Sequence, residues 1–366
     1  MSADDTRYLE QTLDLAYRGR ALASPNPMVG AVLVQAGDIV GLGFHTYEGL
    51  KHAEILALEE AGDRARGAAL YINLEPCSHQ GRTPPCVDAL IGAGVARVVA
   101  AMEDPNPQVS GRGLARLAAA GVAVELVAGL EPRARRLNEA FTHFIRSGRP
   151  LVTLKTATTL DGKISAPDDN RGWITSEQAR AHVQQVRHDH DAILTGIGTV
   201  LADDCLMTDR TGLDRRRPLV RLVVDSQLRL PMGSRMVQSA QGDVVVATTS
   251  AASPQRGQAL EAAGVQVVTF DASGGRVDLP AVVQWLGGRQ CTSVILEAGA
   301  KLNWAALEAG IVDKVLFYYA PKILGGLESL PLAAGPGRRS RSAAIRLRDL
   351  RTFPVAPDEF AVEAYL

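Results

Sequence analysis

The chain has 366 residues, 46% of them hydrophobic and 22% charged, and its 39 Lys and Arg against 40 Asp and Glu leave a net charge of −1. That length accommodates two domains with cores of their own, and the balanced charge gives no support to a general polyanion binder. No apolar run approaches the ~20 residues a membrane helix needs, and the acidic opening "MSADDTRYLEQTLDLAYRGRALA" does not read as a signal peptide. The expected setting is the cytoplasm, with neither membrane nor nucleic acid as partner.

In chain order, the opening stretch predicts an amphipathic helix. "VGAVLVQAGDIVGLGFH" predicts two strands about a Gly-containing turn, and "HAEILALEEAGDRA" a helix. "GAALYINLEP" predicts a strand leading to Cys77, and "CVDALIGAG" a helix with a glycine stop. "ARVVAAMEDPNP", "GRGLARLAAAG" and "VAVELVAG" predict strand, helix and strand. "RSGRP", Arg146 to Pro150, reads as a linker and places a domain boundary between 147 and 148. A second alternating series starts at "LVTLKTATTLDGKI". It runs through "AILTGIGTVLADD", "PLVRLVVDSQ", "GDVVVATTS", "VQVVTF", "SVILEAGAKL" and "DKVLFYYAPKILGG" to "EFAVEAYL". Both halves, 1–147 and 148–366, are therefore expected to be α/β. The basic stretch "GPGRRSRSAAIRLRDLR" is expected to be a solvated loop.

The four cysteines are Cys77, Cys86, Cys205 and Cys291, too few for a disulfide framework in a cytoplasmic chain. Cys77 and Cys86 stand with eight residues between them, and "HAE", His52 to Glu54, lies upstream. One His and two Cys holding zinc, with a nearby Glu that is not a ligand, is the donor logic of zinc deaminases. Thiolate and imidazole suit Zn²⁺, and three protein ligands leave a fourth position for water, whose pKa the metal lowers to about 7. Glu54 is placed to take the water proton and pass it to a leaving amine. Cys86 opens a helix, whose N-terminal dipole favours thiolate. Two readings compete within this stretch: a closed structural zinc site with His79 as fourth ligand, and a pair of unrelated buried thiols.

"SPNPMVGAVLV", "LEPCSHQGRTPPC" and "EDPNPQVSGRG" resemble the bifunctional deaminase–reductase family of riboflavin biosynthesis, and the eight-residue Cys spacing departs from the tight P-C-x-x-C of nucleic-acid deaminases. "KTATTLDGKI", "WITSEQAR", "AILTGIGTVLADD", "DSQLRLP", "ILEAGAKL" and "YAPKILGG" resemble its reductase half, so the likeness covers nearly the whole chain. The resemblance implies a cytidine-deaminase-like domain followed by a dihydrofolate-reductase-like domain. The first would remove the 2-amino group of 2,5-diamino-6-(5-phosphoribosylamino)pyrimidin-4-one. The second would use NADPH to reduce the ribosyl group of the product to ribityl. By the same resemblance His52, Cys77 and Cys86 would hold one zinc per chain, with Glu54 as proton shuttle. Asn26, His45, His79, Arg82, Asp104 and Asn106 would line the deaminase pocket.

The reductase half is less explicit on its own. Gly196 and Gly198 in "TGIGTVLADD" fit either a close approach to a cofactor phosphate or a tight turn, and no full Rossmann fingerprint is present. By resemblance Ala157, Trp173, Thr199, Asp203, Ser226, Gly299, Ala300, Lys301 and Leu302 would contact NADPH. Lys155, Asp203 and Glu297 would organise proton flow, and Arg171, Arg187, Met207 and Arg210 would face the substrate, with Arg187 and Arg210 as phosphate clamps. The expected partners are small phosphorylated pyrimidines and further copies of the chain. Leu56, Arg171, Cys205 and the "EAGAKL" segment depart from the family pattern. An active deaminase whose second domain only binds ligand or supports assembly is the alternative reading.

Overall fold

A computed structural model describes residues 3–79, 84–107, 109–168 and 170–366. The chain divides into two compact units, Met1–Gly148 with Asp214–Arg217, and Arg149–Leu213 with Pro218–Leu366.

The first unit runs α1 (Ala3–Tyr17), β1 (Gly30–Gln35), β2 (Asp38–Phe44), α2 (Ala53–Ala61), β3 (Ala69–Ile72), α3 (Cys86–Ala93), β4 (Arg97–Ala100), α4 (Arg112–Ala119), β5 (Ala123–Leu126), α5 (Glu131–Leu137) and α6 (Glu139–Ser147). Its sheet has the order β2-β1-β3-β4-β5, antiparallel about β1 and parallel from β3 to β5. Side chains alternate across a strand, and β1 shows the consequence. Ala31 and Leu33 join the core formed with α2, α3 and α4, while Val32 and Val34 join the core formed with α1 and α5. Both faces are thus covered by helices, and each fully buried Leu or Ile contributes about 2 kcal/mol to holding them there.

Two glycines bring α2 onto β2. A Cβ at Gly41 or Gly43 would lie 2.1 Å from the carbonyl oxygens of Ala57 and Ala53 respectively. Only glycine permits this approach, which sets the N-terminus of α2, and with it His52 and Glu54, against the sheet. Arg216 also packs in this unit, its N–H donating to Ala21 O (3.0 Å) and its guanidinium lying 3.8 Å from the Tyr47 ring centre.

The second unit runs β6 (Leu151–Thr159), β7 (Lys163–Ser165), α7 (Glu177–His188), β8 (Ala192–Gly196), α8 (Ile197–Asp203), β9 (Val220–Val224), α9 (Arg235–Gln238), β10 (Val244–Thr249), α10 (Pro254–Ala262) and β11 (Gln266–Phe270). It continues with β12 (Ala272–Ser273), β13 (Arg276–Val277), α11 (Leu279–Gly288), β14 (Ser293–Leu296), α12 (Ala300–Glu308), β15 (Lys314–Ala320), β16 (Leu330–Pro331), β17 (Arg348–Ala356) and β18 (Glu359–Tyr365). The main sheet has the order β11-β10-β9-β8-β14-β6-β15-β18-β17, parallel except at β18, which runs antiparallel to both neighbours. Leu194, Leu222, Val245 and Leu296 face one core; Ile193, Val223, Val246 and Ile295 face the other. The basic stretch expected to be a solvated loop is exposed, but its end is ordered differently: Arg348 and Arg351 belong to β17, paired with β18. Backbone pairing to β18 and the β-branched and aromatic run that follows outweigh the polar composition.

Among the described residues no helix is long and apolar enough to cross a membrane.

Candidate functional site

His52 is the N-cap of α2, Cys86 the first residue of α3, and Cys77 lies in the loop after β3. Their ligand atoms all fall within 4.8 Å of one another, with His52 Nδ1 3.5 Å from Cys77 Sγ and 3.2 Å from Cys86 Sγ. Tetrahedral zinc with bonds of about 2.1 Å to nitrogen and 2.3 Å to sulfur sets its ligand atoms roughly 3.6–3.8 Å apart, close to this spacing. The donor set and its size therefore fit zinc. The Cys86 N–H donates to Cys77 Sγ (3.3 Å), and the thiol of Cys86 holds Cys77 down to about 4 against the effect of burial, with His52 assisting. The Cys86 thiol is raised in turn by that shared proton. His79 is exposed and takes no part in the cluster, so the closed site with a fourth histidine is not formed.

Glu54 is 3% exposed, one helical step beyond the ligand's neighbour. Burial pushes its carboxyl up to about 7, with His52 opposing. A carboxyl poised there exchanges a proton near neutrality in either direction. His45 is buried, which lowers its pKa and keeps it neutral. Its ring lies edge-on to that of His52 at 5.3 Å. Its Nδ1 pairs with Lys51 O and its Nε2 with Asn26 Nδ2, both at 2.9 Å, which assigns the proton to Nδ1. Asn26, His45 and the zinc group thus lie side by side.

Asp104 and Asn106 reach the site through a residue that the motif did not single out. Glu75, 3% exposed and two residues before Cys77, accepts four backbone N–H bonds: Asp104 (3.0 Å) and Gly111 (2.8 Å) on Oε2, Gly113 (2.7 Å) and Leu114 (3.2 Å) on Oε1. One carboxylate therefore ties the zinc-ligand loop to the Asp104 turn and the start of α4. Gly113 is required beside it, since a Cβ there would lie 2.1 Å from Pro76 O. Burial raises the Asp104 carboxyl, and its Oδ1 accepts the Asn106 N–H (2.8 Å). Arg82 lies outside the described residues.

In the second unit the expected residues gather at the carboxyl ends of adjacent parallel strands: Thr199 beyond β8, Ser226 beyond β9, Glu297 and Gly299 beyond β14. Ligands of open α/β sheets collect at such ends. A Cβ on Gly299 would lie 3.9 Å from Thr199 Oγ1, and one on Gly196 3.1 Å from Leu302, so these segments are neighbours. Gly299 caps α12, whose first turn carries Ala300, Lys301 and Leu302. Ser226 Oγ accepts the Val277 N–H (3.2 Å). Trp173 is 70% exposed, under the Arg180 guanidinium at 4.8 Å, and its carbonyl accepts from Lys322 Nζ (2.8 Å).

Glu297 is 8% exposed and sits between two cations. Arg187 donates from Nε to Oε1 (2.7 Å) and from Nη2 to Oε2 (2.9 Å), and Lys155 Nζ, on the same β6 face as Ala157, donates to Oε2 (3.3 Å). Burial alone would raise this carboxyl, but Lys155 and Arg187 outweigh it and hold it down to about 2. Arg187 was expected to be a phosphate clamp. Its guanidinium is instead committed to Glu297 and to Thr208 O (3.0 Å), with Met207 Sδ at 3.8 Å, because a buried carboxylate demands a charged partner. Arg210 and Arg171 are exposed. Asp203, expected beside Lys155 and Glu297, ends α8 on an exposed turn and, among the described residues, forms no hydrogen bond with them.

Comparison with known proteins agrees with both halves. Residues 2–102 match the model of the cytidine and deoxycytidylate deaminase zinc-binding region, and residues 150–358 that of the RibD C-terminal domain. The riboflavin biosynthesis protein RibD of Escherichia coli (strain K12) is 42% identical over 365 residues, covering 97% of each chain. That of Actinobacillus pleuropneumoniae is 41% identical over 345 residues, 94% of this chain and 91% of its own. Among solved structures, Acinetobacter baumannii RibD superposes with a TM-score of 0.85 at 34% identity, covering 99% of this chain and 98% of its own. The Thermotoga maritima diaminohydroxyphosphoribosylaminopyrimidine deaminase/5-amino-6-(5-phosphoribosylamino)uracil reductase does so with 0.83 at 32%, over the same shares. A zinc-type donor cluster beside a buried carboxyl in one unit, a cation-held carboxylate at the strand ends of the other, and relatives matched from end to end lead to one assignment: the chain belongs to the RibD family of bifunctional riboflavin-biosynthesis deaminase–reductases.

Proposed function

We propose that the first unit deaminates 2,5-diamino-6-(5-phosphoribosylamino)pyrimidin-4-one at the His52–Cys77–Cys86 group with Glu54 as proton shuttle, and that the second reduces the product around Lys155 and Glu297. The observation that carries the reading is Glu54, buried beside a three-ligand cluster with its carboxyl raised to about 7. A structural metal site has no use for such a group. When bound, zinc supplies a Lewis acid that brings the pKa of its water to about 7. Glu54 takes the water proton as the water oxygen bonds the pyrimidine C2, and returns it to the 2-amino nitrogen, which leaves as ammonia when the C2–N bond breaks. Neutral His45 with Asn26, and Asp104 with its backbone held by Glu75, are assigned to orient the pyrimidine edge.

In the second unit NADPH supplies the hydride that the sugar C1′ receives. The chain's part is alignment and proton supply: the α12 start, Thr199, Ser226, Ala157 and Trp173 are assigned to the cofactor. Lys155, held by Glu297, is assigned as acid to the opening sugar. Arg187 fixes Glu297, which leaves Arg210, with Met207, to the substrate phosphate side. A cytoplasmic setting, in keeping with four free cysteines, and self-association of the chain complete the reading. Glu54→Gln tests it: ammonia release should fall 10²–10⁴-fold with bound zinc and reductase turnover retained, and unchanged turnover would remove Glu54 from the mechanism.

A further inference from the structure

The C-terminal half of α7 holds the segment 207–211 through three side chains. Arg187 Nη1 donates to Thr208 O (3.0 Å), His188 pairs through Nδ1 with Asp209 Oδ2 (2.8 Å), and Gln184 Oε1 accepts the Arg210 N–H (3.0 Å). The other oxygen of Asp209 accepts from the N–H (2.9 Å) and hydroxyl (2.8 Å) of Thr211, closing a turn around Arg210. The chain enters this turn at Met207 with φ of +52°, a strained value for a residue with a side chain. His188 is 1% exposed and the Asp209 side chain 7%.

From this arrangement we infer that His188 is a positioning residue for the reductase substrate: through Asp209 it fixes the turn that presents Arg210. The inference rests on the reading of Arg210 as the phosphate-side cation. A buried carboxylate deprived of a donor is costly, so removing the imidazole forces Asp209 outward and opens the turn. Arg210 then has to be ordered at the moment of binding, and that ordering is charged against affinity rather than against the chemical step. Leu in place of His188 keeps most of the volume and removes the donor.

The experiment is a double-mutant cycle on the full-length, zinc-loaded protein with His188→Leu, Arg210→Ala and the pair, assayed with the deaminated substrate and NADPH. His188→Leu should raise the substrate KM about tenfold, with KM for NADPH, kcat and the deaminase activity of the same chain unchanged. In the Arg210→Ala background it should add nothing, since its effect passes through Arg210. That last result separates positioning from a general structural role, which would be additive. If His188→Leu accumulates poorly, Asp209→Asn carries the same test with near-identical shape. A raised KM for Arg210→Ala with none for His188→Leu, or additive effects of the two, overturns the inference and leaves Arg210 in its role. A silent Arg210→Ala overturns both.

Discussion

Glu297→Gln exchanges a buried carboxylate for a neutral amide between Lys155 and Arg187. The carboxyl is held down from 4.5 to about 2, with burial opposing and the two cations prevailing. At 1.36 kcal/mol per unit, that difference is worth about 3 kcal/mol of stability to the second unit. Breaking a buried ion pair from one side independently suggests 3–5 kcal/mol, roughly the same size. All three tryptophans, Trp173, Trp285 and Trp304, lie in the second unit, so indole fluorescence during urea unfolding reports that unit alone. With a slope of about 2–3 kcal/mol/M the midpoint should fall by about 1 M. Because the folded pKa is depressed, the stabilisation is fully present above about 4.5 and is lost as pH falls towards about 2. The gap between wild type and variant should therefore be full at pH 7 and shrink below pH 4.5. A midpoint shift under about 0.3 M at pH 7, or a gap that does not narrow in acid, would refute the electrostatic account of this site.

Gly113→Ala puts a Cβ 2.1 Å from Pro76 O and displaces the start of α4 from Glu75. The first unit should lose about 1–3 kcal/mol, read as a lower temperature of deaminase inactivation with the tryptophan transition of the second unit unmoved. Chelation of zinc should abolish ammonia release while NADPH oxidation with pre-deaminated substrate continues, because the His52–Cys77–Cys86 group lies wholly in the first unit. Cys77→Ser should lower bound zinc, and re-addition of metal should restore activity only in part, a thiolate being the better ligand. Full activity of that variant without added zinc would argue that Cys77 is not a ligand.

The zinc group was legible because each member is local punctuation: His52 and Cys86 open helices, and Cys77 ends the approach from β3. The strand–helix alternation was legible for the same reason, as buried parallel strands such as β8 and β14 are short apolar runs bounded by glycine or by polar residues. What escaped was non-local. Glu75 sits in the quoted motif, yet its partners are backbone N–H groups between 104 and 114, which have no side-chain signature. Gly41 and Gly43 look like strand defects until α2 is seen resting on them. Arg187 looked like a phosphate-binding cation because helix periodicity does not reveal that Glu297, 110 positions away, claims it. The Arg348–Ala356 strand was hidden by its charge, its order being set by pairing to β18.

The most direct test of two linked activities in one chain follows ammonia and NADPH together on protein of known zinc content, supplied with the diaminopyrimidine phosphate. The protein should hold about one zinc per chain, release ammonia without cofactor, and oxidise NADPH only after deamination, in an amount that matches the ammonia released. Ammonia release with no NADPH oxidation would contradict this and leave the second unit as a ligand-binding or assembly domain.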